Sequence, residues 1–180
     1  MVQVHADALR LDPERWSPLW SALVHLVRNA VDHGLESAEE RASAGKPARG
    51  MIRFEAHGHD GGLRLEIEDD GRGIDWEAVR RLCRKRGLPS ETRADLFEAL
   101  LRPDVSSREH VTETSGRGVG LAAVAASVSE RGGTLAVESE PGRGTRWVLE
   151  LPLDREPSTF SAHPGARSTT AQITPESIGS

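Results

Sequence analysis

The chain has 180 residues, 37% of them hydrophobic, and a formal net charge of −5, which suits one globular domain with an appendage. Its longest apolar run, residues 121–126, is far too short to span a bilayer, and no signal-peptide pattern opens the chain. A single cysteine, Cys83, excludes a disulfide framework or a thiolate metal cluster, and net acidity argues against a nucleic-acid partner; the expectation is a cytoplasmic protein without membrane insertion.

In chain order, residues 1–11 contain two short alternating stretches, VQVHA and LRLD, that predict an edge strand or a hairpin. Asp12, Pro13 and Glu14 carry the signals of a helix start. That helix is expected to run through Trp16 and Trp20, both read as core residues, with Pro18 either kinking or restarting it. Over residues 19–33, Leu19, Leu23, Leu26, Val27, Ala30 and Val31 recur at helical spacing and mark a core face, with Gly34 placed as a left-handed C-cap. Running obliquely from that face are His25 and Asn29, one turn apart, then Asp32 and His33. Taken singly, each reads as a polar residue on a half-exposed face; together they ask for a functional reason.

Residues 36–44 are charged and helix-favouring, and Gly45-Lys46-Pro47 breaks the pattern. Residues 51–57 and 63–69 alternate apolar and polar side chains and predict an antiparallel hairpin closed loosely by Gly58-His59-Asp60-Gly61-Gly62. His57 and His59 have metal-like spacing on a strand, but no third ligand accompanies them, and no metal is expected there. DDGRGID, residues 69–75, follows the hairpin directly. Its glycines let the backbone leave the sheet tightly and approach a flat ligand, and an aspartate at a strand end can accept a hydrogen bond from an exocyclic amino group such as adenine's. An acidic turn with Asp75 as N-cap of a helix over 76–86 accounts for Asp75. It leaves Asp69, Gly71 and Gly73 unexplained.

A second helix is predicted at about 92–101, after Gly87-Leu88-Pro89. Residues 102–115 are polar, aperiodic and contain Pro103, the pattern of a long loop that serves as a functional lid or is disordered. This loop ends in Gly116-Arg117-Gly118-Val119-Gly120 at the mouth of an apolar helix over 121–130. Glycines at a helix start, with free amides and a positive dipole end, form a phosphate-binding arrangement. The spacing G-x-G-x-G, with no buried strand before it, excludes the dinucleotide-binding fingerprint. Arg131-Gly132-Gly133 closes the helix, and residues 134–138 and 145–151 form a last hairpin. Residues 154–180 hold too few large apolar side chains to offset their ordering entropy and are expected to be a disordered tail beyond a domain spanning 1–153. The order of elements predicts an α+β fold: a two-layer sandwich in which helices cover one face of a mixed, mainly antiparallel sheet.

The motifs HLVRNAVDHGLE, DDGRGID, SGRGVGLAAV and GGTLAVESEPGRGTRWVLELPL closely resemble, in that order, the ATP-binding catalytic domain of CheA-type chemotaxis histidine kinases. These belong to the GHKL superfamily, which also holds gyrase, the heat-shock chaperone ATPases and MutL and shares the Bergerat ATP-binding fold. The resemblance covers about residues 1–153. It implies ATP and Mg2+ as ligands, with Asn29 coordinating the magnesium that bridges the phosphates. His25 stands where hydrolases of the superfamily place a glutamate general base, and as an imidazole it is a poorer activator of water. Asp32 and His33 would lie near the phosphates and ribose, Asp69 would bind the adenine amino group, and Gly71 and Gly73 would shape the adenine pocket. Gly116, Gly118 and Gly120, with Val119 and Leu121 in the same stretch, would cradle phosphates, and Arg117 would add positive charge. Where kinases of this type usually carry a Pro-Gly-Phe-Ser turn in the lid, this chain reads Pro103-Asp104-Val105-Ser106-Ser107.

The function so implied is transfer of the ATP γ-phosphoryl to a histidine on a separate phosphotransfer domain, and onward to a response regulator. No phosphoacceptor bundle, dimerisation hairpin or receptor-coupling domain is recognisable in the sequence. The alternative is a nucleotide-binding interaction module of the same fold with little or no transfer; an ATPase of the gyrase or MutL kind is disfavoured by the histidine at position 25.

Overall fold

The computed structural model describes residues 1–102 and 120–153, together with the main chain of 171–173. Strand β1 (Val2–Ala6) leads into helix α1 (Pro13–Asn29), which ends in a π turn, Ala30–Gly34. Helix α2 (Ala38–Ser43), the hairpin β2 (Ile52–His59) and β3 (Gly62–Asp69), and helices α3 (Trp76–Lys85) and α4 (Arg93–Leu100) follow. Helix α5 (Gly120–Ser129), β4 (Thr134–Glu140) and β5 (Gly144–Pro152) complete the domain. Of the stretch expected as a disordered tail, 171–173 forms a short strand, β6 (Ala171–Ile173), on the outer edge of β1; the remainder lies outside the described residues.

Local chemistry explains most boundaries. Asp12 caps α1 by accepting from the amides of Glu14 and Arg15 at 2.9 and 3.1 Å, and Pro13 occupies the first helical position, where its missing N–H costs nothing. Pro18 neither restarts nor ends the helix, which is continuous from Pro13 to Asn29. Capping boxes start α2 (Ser37 with Glu40) and α4 (Thr92 with Asp95), and Asp75 caps α3 at the amide of Ala78. The β2–β3 turn is tighter than the glycine-rich sequence suggests: His59 pairs with Gly62, leaving only Asp60 and Gly61 in the turn, with Gly61 at φ +81°.

The sheet runs in the order β4-β5-β3-β2-β1-β6. Every neighbouring pair is antiparallel except β1 with β2, which are parallel because a whole helix separates them in sequence. One face of the sheet, carrying Leu63, Leu65 and Ile67 of β3 and Trp147, Leu149 and Leu151 of β5, packs against Leu19, Leu23 and Leu26 of α1 and Leu121, Val124 and Val128 of α5. The opposite face is a lattice of ions: Arg146 Nε donates to Glu66 at 2.9 Å, and Arg64 and Arg146 both grip the Glu66 carboxylate, itself only 6% exposed. This is the two-layer α+β sandwich expected from the element order. A smaller core of Trp76, Cys83, Leu96 and Ala99 joins α3 to α4, with the Arg93 guanidinium 4.2 Å from the Trp76 ring centre.

Two details of the α1 reading change. Val27 and Val31 are not core residues; they are 36% and 54% exposed, while Leu19, Leu23, Leu26 and Ala30 are buried. Trp16 is buried and Trp20 is half-buried against the same core. Gly34 is not a left-handed cap, since it is absent from the positive-φ glycines. The helix instead ends in a π turn closed by the Leu35 amide on the Ala30 carbonyl at 2.8 Å, and such turns recur at functional sites.

Candidate functional site

The C-terminal half of α1, its π turn, the end of β3, the start of β5 and the start of α5 meet at one end of the sandwich. Asp69, the last residue of β3, is 5% exposed. Its Oδ1 accepts from the Gly71 amide at 2.9 Å. Burial pushes this carboxyl above the usual aspartate range, against the pull of the Gly71 and Thr145 amides, and the nearby negative charges of Asp70 and Glu36 push it further the same way. Among the described residues no cationic side chain pairs with Asp69. A buried, uncompensated carboxylate is costly as structure alone and is characteristic of a functional position.

Glycines set the packing around it. A Cβ at Gly34 would lie 3.3 Å from Asp69 Oδ1, so the carboxylate rests against the π turn. A Cβ at Gly71 would lie 2.1 Å from the Gly34 carbonyl oxygen, and the neighbouring Arg72 amide donates to that same oxygen at 2.8 Å. Gly73, at φ +72°, would put a Cβ 2.3 Å from the Glu140 carbonyl oxygen. Both glycines of DDGRGID are therefore demanded by close approach of protein backbone, and they hold the turn against the π turn of α1 on one side and β4 on the other. Gly144, unremarked in the sequence, serves the same end: at φ +99°, its Cβ would lie 1.9 Å from the Asp69 carbonyl oxygen.

On the helical side, His25 and Asn29 lie one turn apart on α1. His25 is half-buried, and Gly120, the first residue of α5, packs on it: a Cβ there would sit 3.0 Å from the His25 Cβ and 3.2 Å from its Cγ. The start of α5 is thus drawn onto the His25 face of α1. Asn29 is exposed and makes no side-chain hydrogen bond among the described residues. Asp32 and His33 are exposed on the π turn. The Leu121 side chain is buried in the core at 7% exposure, so its backbone amide is what it offers the site. Gly116, Arg117, Gly118 and Val119, and the stretch 103–107 compared with a lid, lie outside the described residues.

Other residues at this end were not singled out by sequence. Ser139 of β4 accepts from the Ile74 amide at 2.8 Å through its hydroxyl, while its carbonyl accepts from Trp76 Nε1 at 3.1 Å, so it fixes the exit of the Asp69 turn into α3. Glu36, Arg41, Lys46 and Asp70 form an ion network behind that turn. A serine within an alternating strand and charges on a short helix carry no local signal; only their partners, distant in sequence, reveal them. Among the described residues no group of three or more His, Cys, Asp or Glu is arranged to hold a metal, and no helix is long and apolar enough to cross a membrane.

The chain is similar over 154 residues to the chemotaxis protein CheA of Treponema pallidum, with 38% identity, covering 83% of this chain and 19% of that protein. It is 43% identical over 137 residues to a gliding motility regulatory protein of Myxococcus xanthus, covering 73% of this chain and 18% of the other. The chain thus spans about a fifth of the length of the curated relatives it matches. The fold is shared with the histidine kinase domain of a blue-light activated histidine kinase from Erythrobacter litoralis, at a TM-score of 0.51 and 21% identity over 84% of this chain and 51% of that one. The model of the histidine kinase-, DNA gyrase B- and HSP90-like ATPases matches residues 17–155. With a buried acceptor at the end of β3 resting against the π turn of an amide-bearing helix, the chain belongs to that ATPase family, as a domain of the CheA type.

Proposed function

We propose that the domain binds ATP at this end of the sandwich and acts as the catalytic domain of a CheA-like protein-histidine kinase. The observation that carries the reading is Asp69: a desolvated carboxylate acceptor with no counter-charge among the described residues suits a neutral donor such as the adenine amino group. The sheet end and the π turn supply the walls of the adenine pocket. Asn29 offers an exposed amide oxygen with no protein partner among the described residues, on the same α1 face as His25 and the start of α5; this donor fits a hard cation that takes its remaining ligands from phosphates and water. Magnesium held there would neutralise charge on the β- and γ-phosphates.

Phosphoryl transfer asks the protein mainly for positioning and charge stabilisation. In the proposed reaction the bond from the γ-phosphorus to the bridging β-phosphate oxygen breaks and ADP leaves. A bond forms to an imidazole nitrogen of a histidine on a separate phosphotransfer domain, which loses its proton to solvent, and a response regulator is the onward acceptor. His25, which packs against Gly120, is the residue proposed to orient the phosphates. As an imidazole it activates water less well than a carboxylate would, which favours transfer over hydrolysis. Asp32 and His33 border the phosphate and ribose side of the same pocket, and Gly116, Arg117, Gly118, Val119, Gly120 and Leu121 are the candidates for phosphate contact.

The test is incubation with γ-labelled ATP, magnesium and a set of histidine phosphotransfer domains. Acid-labile label on an acceptor histidine is the expected result. Nucleotide binding without label on any acceptor would overturn the kinase reading and leave a binding module.

A further inference from the structure

Resting on the reading of Asp69 as the adenine acceptor, we infer that Lys46, backed by Arg41, is a positioning residue that sets the orientation of the Asp69 carboxylate and so tunes selection for adenine. The Lys46 ammonium, reached through the Gly45-Lys46-Pro47 turn after α2, donates to the carbonyl oxygens of Asp70 and Gly71 at 2.9 and 2.7 Å and to Glu36 at 2.6 Å. The Asp70 carbonyl and the Gly71 amide belong to one planar peptide group, with the C=O and N–H pointing in opposite directions. Lys46 holds the oxygen end of that plane. The N–H end donates to Asp69 Oδ1 at 2.9 Å. An unbroken chain therefore runs from ammonium through peptide to carboxylate, and a cation on the carbonyl polarises the peptide and strengthens its N–H as a donor.

Arg41 makes this grip rigid. It is 1% exposed, and its guanidinium spans the Asp70 carboxylate at 3.2 and 2.8 Å, reaches Glu36 at 3.0 Å and anchors the Pro47 carbonyl at 2.6 Å. The Asp70 carboxylate also takes the Met51 amide at 2.8 Å, tying the turn to the start of β2. The network around these two cations, with Arg41 at its buried centre, converges on a peptide that holds Asp69.

Lys46→Met tests this, because the Lys46 side chain is 17% exposed and its loss leaves Arg41 to pair both acids. Calorimetry on the purified chain would compare ADP with inosine diphosphate, which carries a 6-oxo group in place of the 6-amino group. The expected result is an ADP affinity lowered about ten-fold with inosine diphosphate binding nearly unchanged, the loss of one well-oriented charged hydrogen bond. In an Asp69→Asn background the same substitution should leave the ratio of the two affinities unmoved. Equal weakening of both ligands, or an unchanged ratio, would reduce Lys46 to a structural role and overturn the inference. Equal binding of both ligands by the unmodified protein would instead sink the adenine reading of Asp69 itself. Should the methionine variant fail to fold, Lys46→Gln, which keeps a neutral donor but loses the charge, decides by the same ratio.

Discussion

Asp69 concentrates two opposing demands in one side chain. In its proposed role as an acceptor for adenine it serves best ionised, yet burial raises its carboxyl above the ordinary range. A folded-state value above the unfolded one means that its contribution to stability is fully present below the unfolded value, near 4, and is lost as pH rises through the folded one. At neutral pH the ionised group therefore costs stability. Asp69→Asn should weaken ADP binding by about ten- to a hundred-fold, or roughly 1.5–3 kcal/mol, while the nucleotide-free protein melts no lower than the parent. Calorimetry and a thermal melt on the same samples check both halves; a lower melting temperature with intact binding would reassign Asp69 to structure. In the unmodified protein, ADP affinity should fall on acidification at a pH above that expected of an exposed aspartate, as protonation converts the acceptor into a donor.

Helix α1 illustrates how one element serves core, site and surface at once. Its buried stripe is Leu19, Leu23, Leu26 and Ala30, the stripe of the proposed site begins at His25 and Asn29, and Val27 and Val31 fall on the exposed side. Leu26→Ala, at a position 1% exposed, should destabilise by about 2–5 kcal/mol through lost transfer energy and a cavity. Val31→Ser, at 54% exposure, should change stability by no more than about 0.5 kcal/mol. Urea titrations of the two variants separate the stripes. A large loss from Val31→Ser would restore it to the core. The π turn at the end of the same helix gives it a further duty, delivering the Gly34 carbonyl to the Arg72 amide and the Gly34 Cα to the Asp69 carboxylate.

Across the whole molecule the two sheet faces are stabilised differently. The inner face is apolar, whereas the outer face depends on Glu66 between Arg64 and Arg146. Burial pushes the Glu66 carboxyl up, and the two guanidinium groups together pull it lower still, leaving it below the usual glutamate range. A depressed folded-state value means stability that is present above the unfolded value of about 4.3 and is lost as pH falls through the folded one. Glu66→Gln should therefore cost stability at neutral pH, on the order of 1.5–3 kcal/mol, and flatten the acid limb of the stability curve below about pH 5. Denaturant midpoints taken from pH 3 to 7 read both effects; an acid limb as steep as the parent's would show that another carboxylate governs it.

What the sequence determined by itself is whatever depends on neighbours in the chain. Asp12 and Asp75 announce helix starts because capping acts across three residues, and the alternation in β3 and β5 announces the sheet because side chains of a strand repeat every second residue. The order of HLVRNAVDHGLE, DDGRGID and SGRGVGLAAV was legible for the same reason, and with it the α+β sandwich. Tertiary structure alone decided the remainder. Helical period could not tell Val27 and Val31 from Leu26 and Ala30, because which flank of an apolar stripe is covered depends on where α5 lies. The role of Gly71 and Gly73 was visible as a need for glycine but not as contact with Gly34 and Glu140, which stand 37 and 67 residues away. Lys46 and Arg41 looked like ordinary charges on a short helix and its exit, since nothing local to them records that the peptide they hold also donates to Asp69. Hydrogen bonds and ion pairs act over a few ångströms in space, and only folding brings residues so distant in the chain within that reach.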